Sequence, residues 1–257
     1  MSYIEKLGRG LFSISQKSGE VIFLFLNTLL QTPFIISKRK IIIKQMVFCG
    51  IETIPVAIIV AIFSGMVIAL QTGKELMKFQ LQSQLGIVVA ASMLREMGPV
   101  MTAIIVAGRV GAAMAAELGT MKVSEEIDAL TVMEINPVRF LVMPRLVALL
   151  IMQPVLTIFS DIIGIAGGAV VSKYKIGISY QRFYNGAVDF VDLGDFYTGL
   201  VKSIVFAILI VVISCSEGLQ AEYGSEGVGK AITRSVVLSF LFILIFDYFI
   251  TYFFFGV

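Results

Sequence analysis

A chain of 257 residues with 58% hydrophobic side chains and a mean hydropathy of +0.94 carries more apolar surface than a soluble domain can bury. The bilayer is therefore its expected solvent. A net charge of +2 gives no case for nucleic acid, and the lack of histidine, with two separated cysteines (Cys49 and Cys215), argues against a zinc or haem site.

Residues 2–18 place Ile4, Leu7, Leu11 and Ile14 at helical spacing, with Lys6, Arg9 and Lys17 elsewhere on the wheel. This predicts an amphipathic helix on the cytoplasmic membrane surface. The early charges Glu5, Lys6 and Arg9 make a cleaved signal peptide unexpected. The apolar run 21–36 is interrupted by Asn27, Gln31 and Pro33. It falls short of the roughly 20 residues a crossing needs, which suggests an interfacial elbow, with an extra span as the alternative. Lys38, Arg39, Lys40 and Lys44 then form a basic cluster of the kind kept in the cytoplasm.

The first full span is expected at about residues 51–72, followed by a polar amphipathic segment, 74–84. The second, about 85–117, is too long for a straight crossing and holds Gly98-Pro99 as a break or kink. Ala103, Ala107, Gly111, Ala115 and Gly119 recur at every fourth position, a small-residue ridge that lets another backbone approach closely. Beyond Gly119 the chain turns charged. Lys122, Glu125, Glu126 and Asp128 predict a short aqueous helix with Ser124 as N-cap candidate and acids in its first turn. Asn136-Pro137 should end it. Ile127 and Leu130 share a face that could anchor in a partner's groove.

The third span, about 146–171, contains the GxxxG pair Gly164 and Gly168, near Asp161. Residues 173–195 read as a polar loop with Asp189, Asp192 and Asp195, and the last two spans are expected at about 196–216 and 235–255. Most Lys and Arg fall on the side of the N-terminus, so that end is expected inside and the C-terminus outside. The expected fold is an all-α membrane protein in one domain, 1–257. It has an N-terminal interfacial and elbow region (1–40), five transmembrane helices (51–255), and a cytoplasmic helix between the second and third.

Four ionisable residues, Arg95, Glu96, Lys202 and Asp247, lie in or near the hydrocarbon. A charge at a helix centre costs about 2.5–3.5 kcal/mol on insertion scales, so it normally faces the protein interior or a wet cavity. Lys202 and Asp247 suit a substrate path or an ion pair locking helices equally well. Arg95-Glu96, beside Gly98-Pro99, favours a cavity, because irregular backbone at membrane depth needs protein or water around it. Gly224 to Lys230 spells GxxxxGK, but Ala231 replaces the Mg²⁺-binding hydroxyl and no strand precedes it. It reads as a flexible glycine-rich turn, so the chain is not expected to hydrolyse ATP. A Ser-His nucleophile is impossible without histidine, and Asp161 and Asp247 sit in no aspartyl-enzyme motif.

The runs FSGMVIALQ (63–71), LREMGPV (94–100), AGRVGAAMAAELGTMKVSEEIDAL (107–130), INPVRFLVMPR (135–145) and EGVGKAITRSVV (226–237), with the ending FFFGV, resemble the MlaE/YrbE permeases over nearly the whole chain. The resemblance implies a homodimeric permease of an ABC transporter in the inner membrane, moving phospholipid between inner and outer membranes. It implies no catalytic residue, metal or cofactor in this chain, ATP being bound by a separate cytoplasmic ATPase. A periplasmic MCE-domain protein, and often a STAS-domain protein, are the other implied partners. By the same resemblance, residues 124–134 form the coupling helix that docks in the ATPase, with Glu117, Lys122, Glu125, Glu126, Ile127, Asp128 and Leu130 as coupling residues. A lipid pocket at the dimer axis draws on Leu70, Gln71, Leu76, Phe79, Arg95, Glu96 and Met97. The alternatives are an intramembrane lipid-modifying enzyme and a non-transporting membrane scaffold.

Overall fold

The computed structural model describes residues 19, 21–31, 38–190, 192–222 and 224–256; the amphipathic segment expected at 2–18 lies outside them. The first described helix, α1 (Val21–Leu30), rises only about 15 Å, half a hydrocarbon core. Next come α2 (Arg39–Cys49) and α3 (Ile54–Lys78), joined by a 3₁₀ turn, Ile51–Thr53. Together they form Arg39–Lys78, 40 residues, the first of five helices among the described residues that are long and apolar enough to cross a membrane. At about 1.5 Å per residue this is twice the thickness a crossing needs, so α3 alone suffices. Gly50 marks the break, and a Cβ there would strike the Met152 side chain.

The second span, Gln82–Val123, contains α4 (Leu85–Ser92), α5 (Gly98–Val106) and α6 (Ala112–Val123), linked by π-helical turns at Met93–Met97 and Ala107–Gly111. Gly98-Pro99 therefore does not break the helix. The wider turn before it seats Pro99 in the first turn of α5, where a missing N–H is tolerated.

The short charged helix, α7 (Glu126–Val132), is entered through Glu125 at φ 60°. Ser124 is not its N-cap. It closes α6 instead, its N–H and its hydroxyl each donating to the Thr120 carbonyl at 2.9 Å. Asn136 starts the third span, its Oδ1 accepting the Val138 N–H at 2.9 Å and the Arg139 N–H at 3.3 Å. That span, Val138–Ile176, centres on α8 (Met143–Val171). After it come α9 (Tyr180–Phe190), α10 (Leu193–Leu219) and α11 (Gly224–Phe255).

Two expectations are corrected here. Much of the supposed loop 173–195 is helical: Phe183 and Ala187 of α9 are buried, and Gly86 of α4 admits its backbone, since a Cβ there would run into the Phe183 carbonyl. The supposed glycine-rich turn forms the first turns of α11, with Glu226 and Lys230 paired across one turn at 2.7 Å.

Small residues set the packing. Ala103, Ala107, Gly111, Ala115 and Gly119 are all buried, with Gly111 against Ser214 and Ile210 of α10. A second ridge was overlooked in the sequence: Ala57, Ala61, Gly65, Ala69 and Gly73 of α3, also at every fourth position and all buried. It meets Gly164, Gly167 and Gly168 of α8, and a Cβ on Gly65 would collide with the Gly164 carbonyl. Both ridges thus pack helices within one chain. Large apolar side chains such as Phe63, Leu244, Phe249 and Phe253 point outward, as lipid-facing side chains do.

Candidate functional site

The intramembrane charges converge on the π-helical turn Met93–Met97. In a regular α-helix the Arg95 carbonyl accepts from residue 99, but Pro99 has no N–H to give. Lys202 of α10 fills that place, its Nζ donating to the Arg95 carbonyl at 2.8 Å. The same ammonium meets Glu96 Oε2 and Asp247 Oδ1, each at 2.8 Å. Gly199 makes this approach possible, because a Cβ at that position would press on the Leu94 carbonyl. Thr251 of α11 then donates to Glu96 Oε1 at 3.0 Å. One buried lysine therefore ties the second, fourth and fifth spans together.

Arg95 turns the other way. Its Nε and Nη2 donate to Asp195 Oδ1 and Oδ2 at 2.8 and 3.0 Å, a bidentate pair. Its guanidinium also lies 4.7 Å from the Phe255 ring centroid. Two cations thus face three carboxylates (Glu96, Asp195 and Asp247) at one end of the bundle. Exposure sorts them: the Lys202 side chain is 0% exposed and Asp195 5%, whereas Arg95 and Glu96 are 35% and 34% exposed. The inner members lock helices; the outer two can reach a ligand. The expected Lys202–Asp247 pair is present, enlarged by Glu96. Asp195 and Thr251 were overlooked, one read as a loop acid and the other as part of an apolar span.

The other residues expected to line a lipid pocket divide into two sets. Leu76 and Met97 pack against a small core of Ala69, Leu85, Val89, Met93 and Phe183. Leu70, Gln71 and Phe79 lie on an exposed face of the first span, Phe79 at its end, and Gln71 borders an open depression with Thr72, Lys74 and Glu75. Among the described residues, one chain does not bring these side chains and Arg95-Glu96 around a single enclosed cavity.

At the opposite end, α7 presents Glu125, Glu126 and Asp128 to solvent. Lys122 holds Asp128 at 3.0 Å and the Ser124 hydroxyl lies 3.1 Å from Glu126 Oε1, which sets α7 against the end of α6. The expectation that Ile127 and Leu130 point outward is corrected. Ile127 belongs to the protein's own core and Leu130 packs against that core. The outward apolar groups here are Val132 and Met133, 84% and 60% exposed. Glu117 pairs with the buried Arg145 at 2.8 Å. Beside it Arg109 clamps the start of the first span, reaching Glu52 at 2.6 Å, Thr53 Oγ1 at 2.8 Å and the Phe48 carbonyl at 3.0 Å.

A buried polar cluster between α5 and α8 has little signal in the sequence. Thr102 Oγ1 donates to the Gly98 carbonyl at 2.7 Å, lies 3.0 Å from Thr157 Oγ1, and accepts from Gln153 Nε2 at 3.3 Å. The spacing Gln153, Thr157 and Asp161, one turn apart on α8, was its only trace in the sequence.

Comparison with known proteins agrees with this architecture. Residues 42–253 match the family described as Permease MlaE. The chain is 39% identical over 229 residues to a probable ABC transporter permease protein of Rickettsia typhi, covering 89% of this chain and 87% of the relative. It is 40% identical over 214 residues to a probable ABC transporter permease protein of Synechocystis, covering 83% and 81%. It is 34% identical to the intermembrane phospholipid transport system permease protein MlaE of Haemophilus influenzae, covering 100% and 98%. With five apolar spans and matches that run almost end to end, the chain belongs to the MlaE permease family.

Proposed function

We infer that this chain is the membrane-spanning half of an ABC transporter that moves phospholipid between two membranes, driven by a separate ATPase. The observation that carries the reading is the partly exposed Arg95-Glu96 pair at a π-helical turn inside an apolar span, with the Phe255 ring beside Arg95. Such a site suits an amphipathic ligand: tails meet apolar surface while a phosphate meets Arg95 and an amine meets Glu96. The relative in Haemophilus influenzae is named for phospholipid transport, which supports the substrate class.

The site is completed by a second copy of the chain. Leu70, Gln71 and Phe79 are exposed on a single chain, and a two-fold partner would cover them and close a shared pocket. The excess of Lys and Arg at the α7 end supports a cytoplasmic position for that end, with the charge network towards the outer face of the inner membrane. There α7 docks an ATPase through its exposed acids and through Val132 and Met133. An MCE-domain protein on the outer side, and a STAS-domain protein on the ATPase, complete the assembly.

The test is phospholipid transfer between donor and acceptor vesicles by the reconstituted permease with its ATPase. Arg95→Leu with Glu96→Leu should abolish transfer and reduce co-purified phospholipid while the ATPase still binds. Wild-type transfer by the double variant would make the pair structural. Lipid turnover by the permease without ATPase would favour the enzyme alternative.

A further inference from the structure

A second cavity lies at the α7 end, away from the charge network. It measures about 640 Å³ and sits between α2, α6 and the start of α8. Ile41, Val47, Phe48, Phe140 and Pro144 give it apolar walls. Its polar groups are Lys44, Gln45, Glu52, Glu117 and Arg145.

Arg145 is the unusual member. Only 2% of the residue is exposed, although guanidinium groups are seldom fully buried. Its Nη2 meets Glu117 Oε2 at 2.8 Å and its Nη1 donates to the Leu141 carbonyl at 2.9 Å. Its Nε, also buried, has no partner among the described residues. A buried N–H on a charged group costs free energy until an acceptor satisfies it. The two acids do not supply that acceptor: Glu117 is engaged at the far nitrogen, and Glu52 is held by Arg109 at 2.6 Å. With Glu52 neutralised in this way, Lys44 leaves the cavity one positive charge in excess.

We propose that this cavity is a second lipid site, taking an acyl lipid whose anionic head, a phosphate or a carboxylate, accepts from Arg145 Nε. Lys44, on the exposed side, meets the same head from solvent. The acyl chain lies along Ile41, Val47 and Phe140. The cavity occupies the leaflet opposite the Arg95-Glu96 site, so it is a separate site rather than an extension of that one. It rests on Arg145 and the cavity walls, not on the transport reading. Occupancy also wedges α2 against α8, which gives the lipid a handle on the Glu117-Arg145 pair beside the ATPase-facing end.

The test uses the full chain in detergent micelles with phosphatidylglycerol carrying a photoactivatable acyl chain, with adducts mapped by mass spectrometry. Wild-type protein should be labelled within 41–48. Val47→Trp fills the cavity from an exposed helix face without touching Arg145 and should cut that labelling about tenfold. Arg145→Lys keeps the charge but loses Nε, and should weaken it by a similar factor, the size of one charge-assisted hydrogen bond. Arg95→Leu should leave labelling at 41–48 intact, which separates this site from the first. Competition by unlabelled phosphatidylglycerol alone assigns a phosphate; equal competition by oleate assigns any anionic head. Labelling unchanged in Val47→Trp, or equal labelling by an uncharged diacylglycerol probe, overturns the proposal.

Discussion

Removing Lys202 tests whether the charge network is a lock, a ligand site, or both. Its ammonium is wholly buried and neutralises Glu96 and Asp247, each 2.8 Å away. Lys202→Met leaves those carboxylates facing each other and removes the donor that Lys202 supplies to the Arg95 carbonyl. Breaking one side of a buried ion pair costs about 3–5 kcal/mol. Glu96 and Asp247 are 34% and 19% exposed, so solvent screens part of the uncompensated charge and about 2–4 kcal/mol is the expected loss. On the scale of domains this size, that lowers Tm by about 4–16 °C. Combining Lys202→Met with Glu96→Gln and Asp247→Asn removes the unbalanced charge and should recover most of the loss. The readouts are thermal unfolding of the purified protein in nanodiscs and phospholipid transfer with the ATPase present. A triple variant that regains stability but not transfer assigns the charges to the substrate. One that regains both makes them a lock alone. A Lys202→Met protein as stable as wild type refutes the reasoning, because the ammonium would then be neutralising nothing.

Glycine substitutions should rank by what a Cβ meets. Gly65→Ala drives into the Gly164 carbonyl, which cannot rotate away, whereas Gly108→Ala has only the Phe240 ring edge at 3.9 Å. The first should abolish folded, monodisperse protein and the second should leave Tm within about 2 °C of wild type, as size-exclusion profiles and melts would show. Gly111→Leu should fall between, since the group it strikes first is the end of the Ser214 side chain. Reversing Glu125 and Glu126 to Lys should weaken ATPase binding in low salt and matter less at high salt, measured by pull-down across ionic strength. Met133→Asp should break the same contact at any salt, whereas Leu130→Asp should first destabilise the permease itself, because Leu130 packs inward.

The spans were legible because their apolar runs are long and their punctuation is chemical. Pro55, Pro99 and Pro144 each stand in the first turn of an α-helical segment. What the sequence hid was hidden for identifiable reasons. The ridge on α3 mixes Ala with Gly inside a run already explained as membrane-spanning, so its four-residue period carried no extra weight. The helix α9 is amphipathic and rich in polar groups, and only burial of Phe183 and Ala187 against α4 tells it from a loop. The outward face of α7 was misjudged because three-residue spacing fixes which side chains share a face, not which way the face turns. Left-handed backbone at Glu125 sets that rotation, and no residue type there announces it.

The charge network shows how a sequence feature can be read correctly and still be incomplete. From the sequence, Pro99 predicts irregular backbone, and irregular backbone at depth predicts a cavity. The structure satisfies the same constraint more economically. The π-helical turn keeps the span continuous, and the Arg95 carbonyl, which Pro99 cannot serve, accepts from Lys202 of another helix. Held there, the ammonium lies 2.8 Å from Glu96 Oε2 and 2.8 Å from Asp247 Oδ1 and neutralises both acids. The irregularity therefore recruits the charge, and the charge recruits the two acids. Replacing Pro99 with Ala should return a backbone donor to the Arg95 carbonyl and loosen Lys202 from it without removing any charge. The expected result is near-wild-type stability with altered lipid transfer, since only the placement of Glu96 changes. If Pro99→Ala instead cost as much stability as Lys202→Met, the proline would be holding the helix itself, and the argument that links it to the charges would fail.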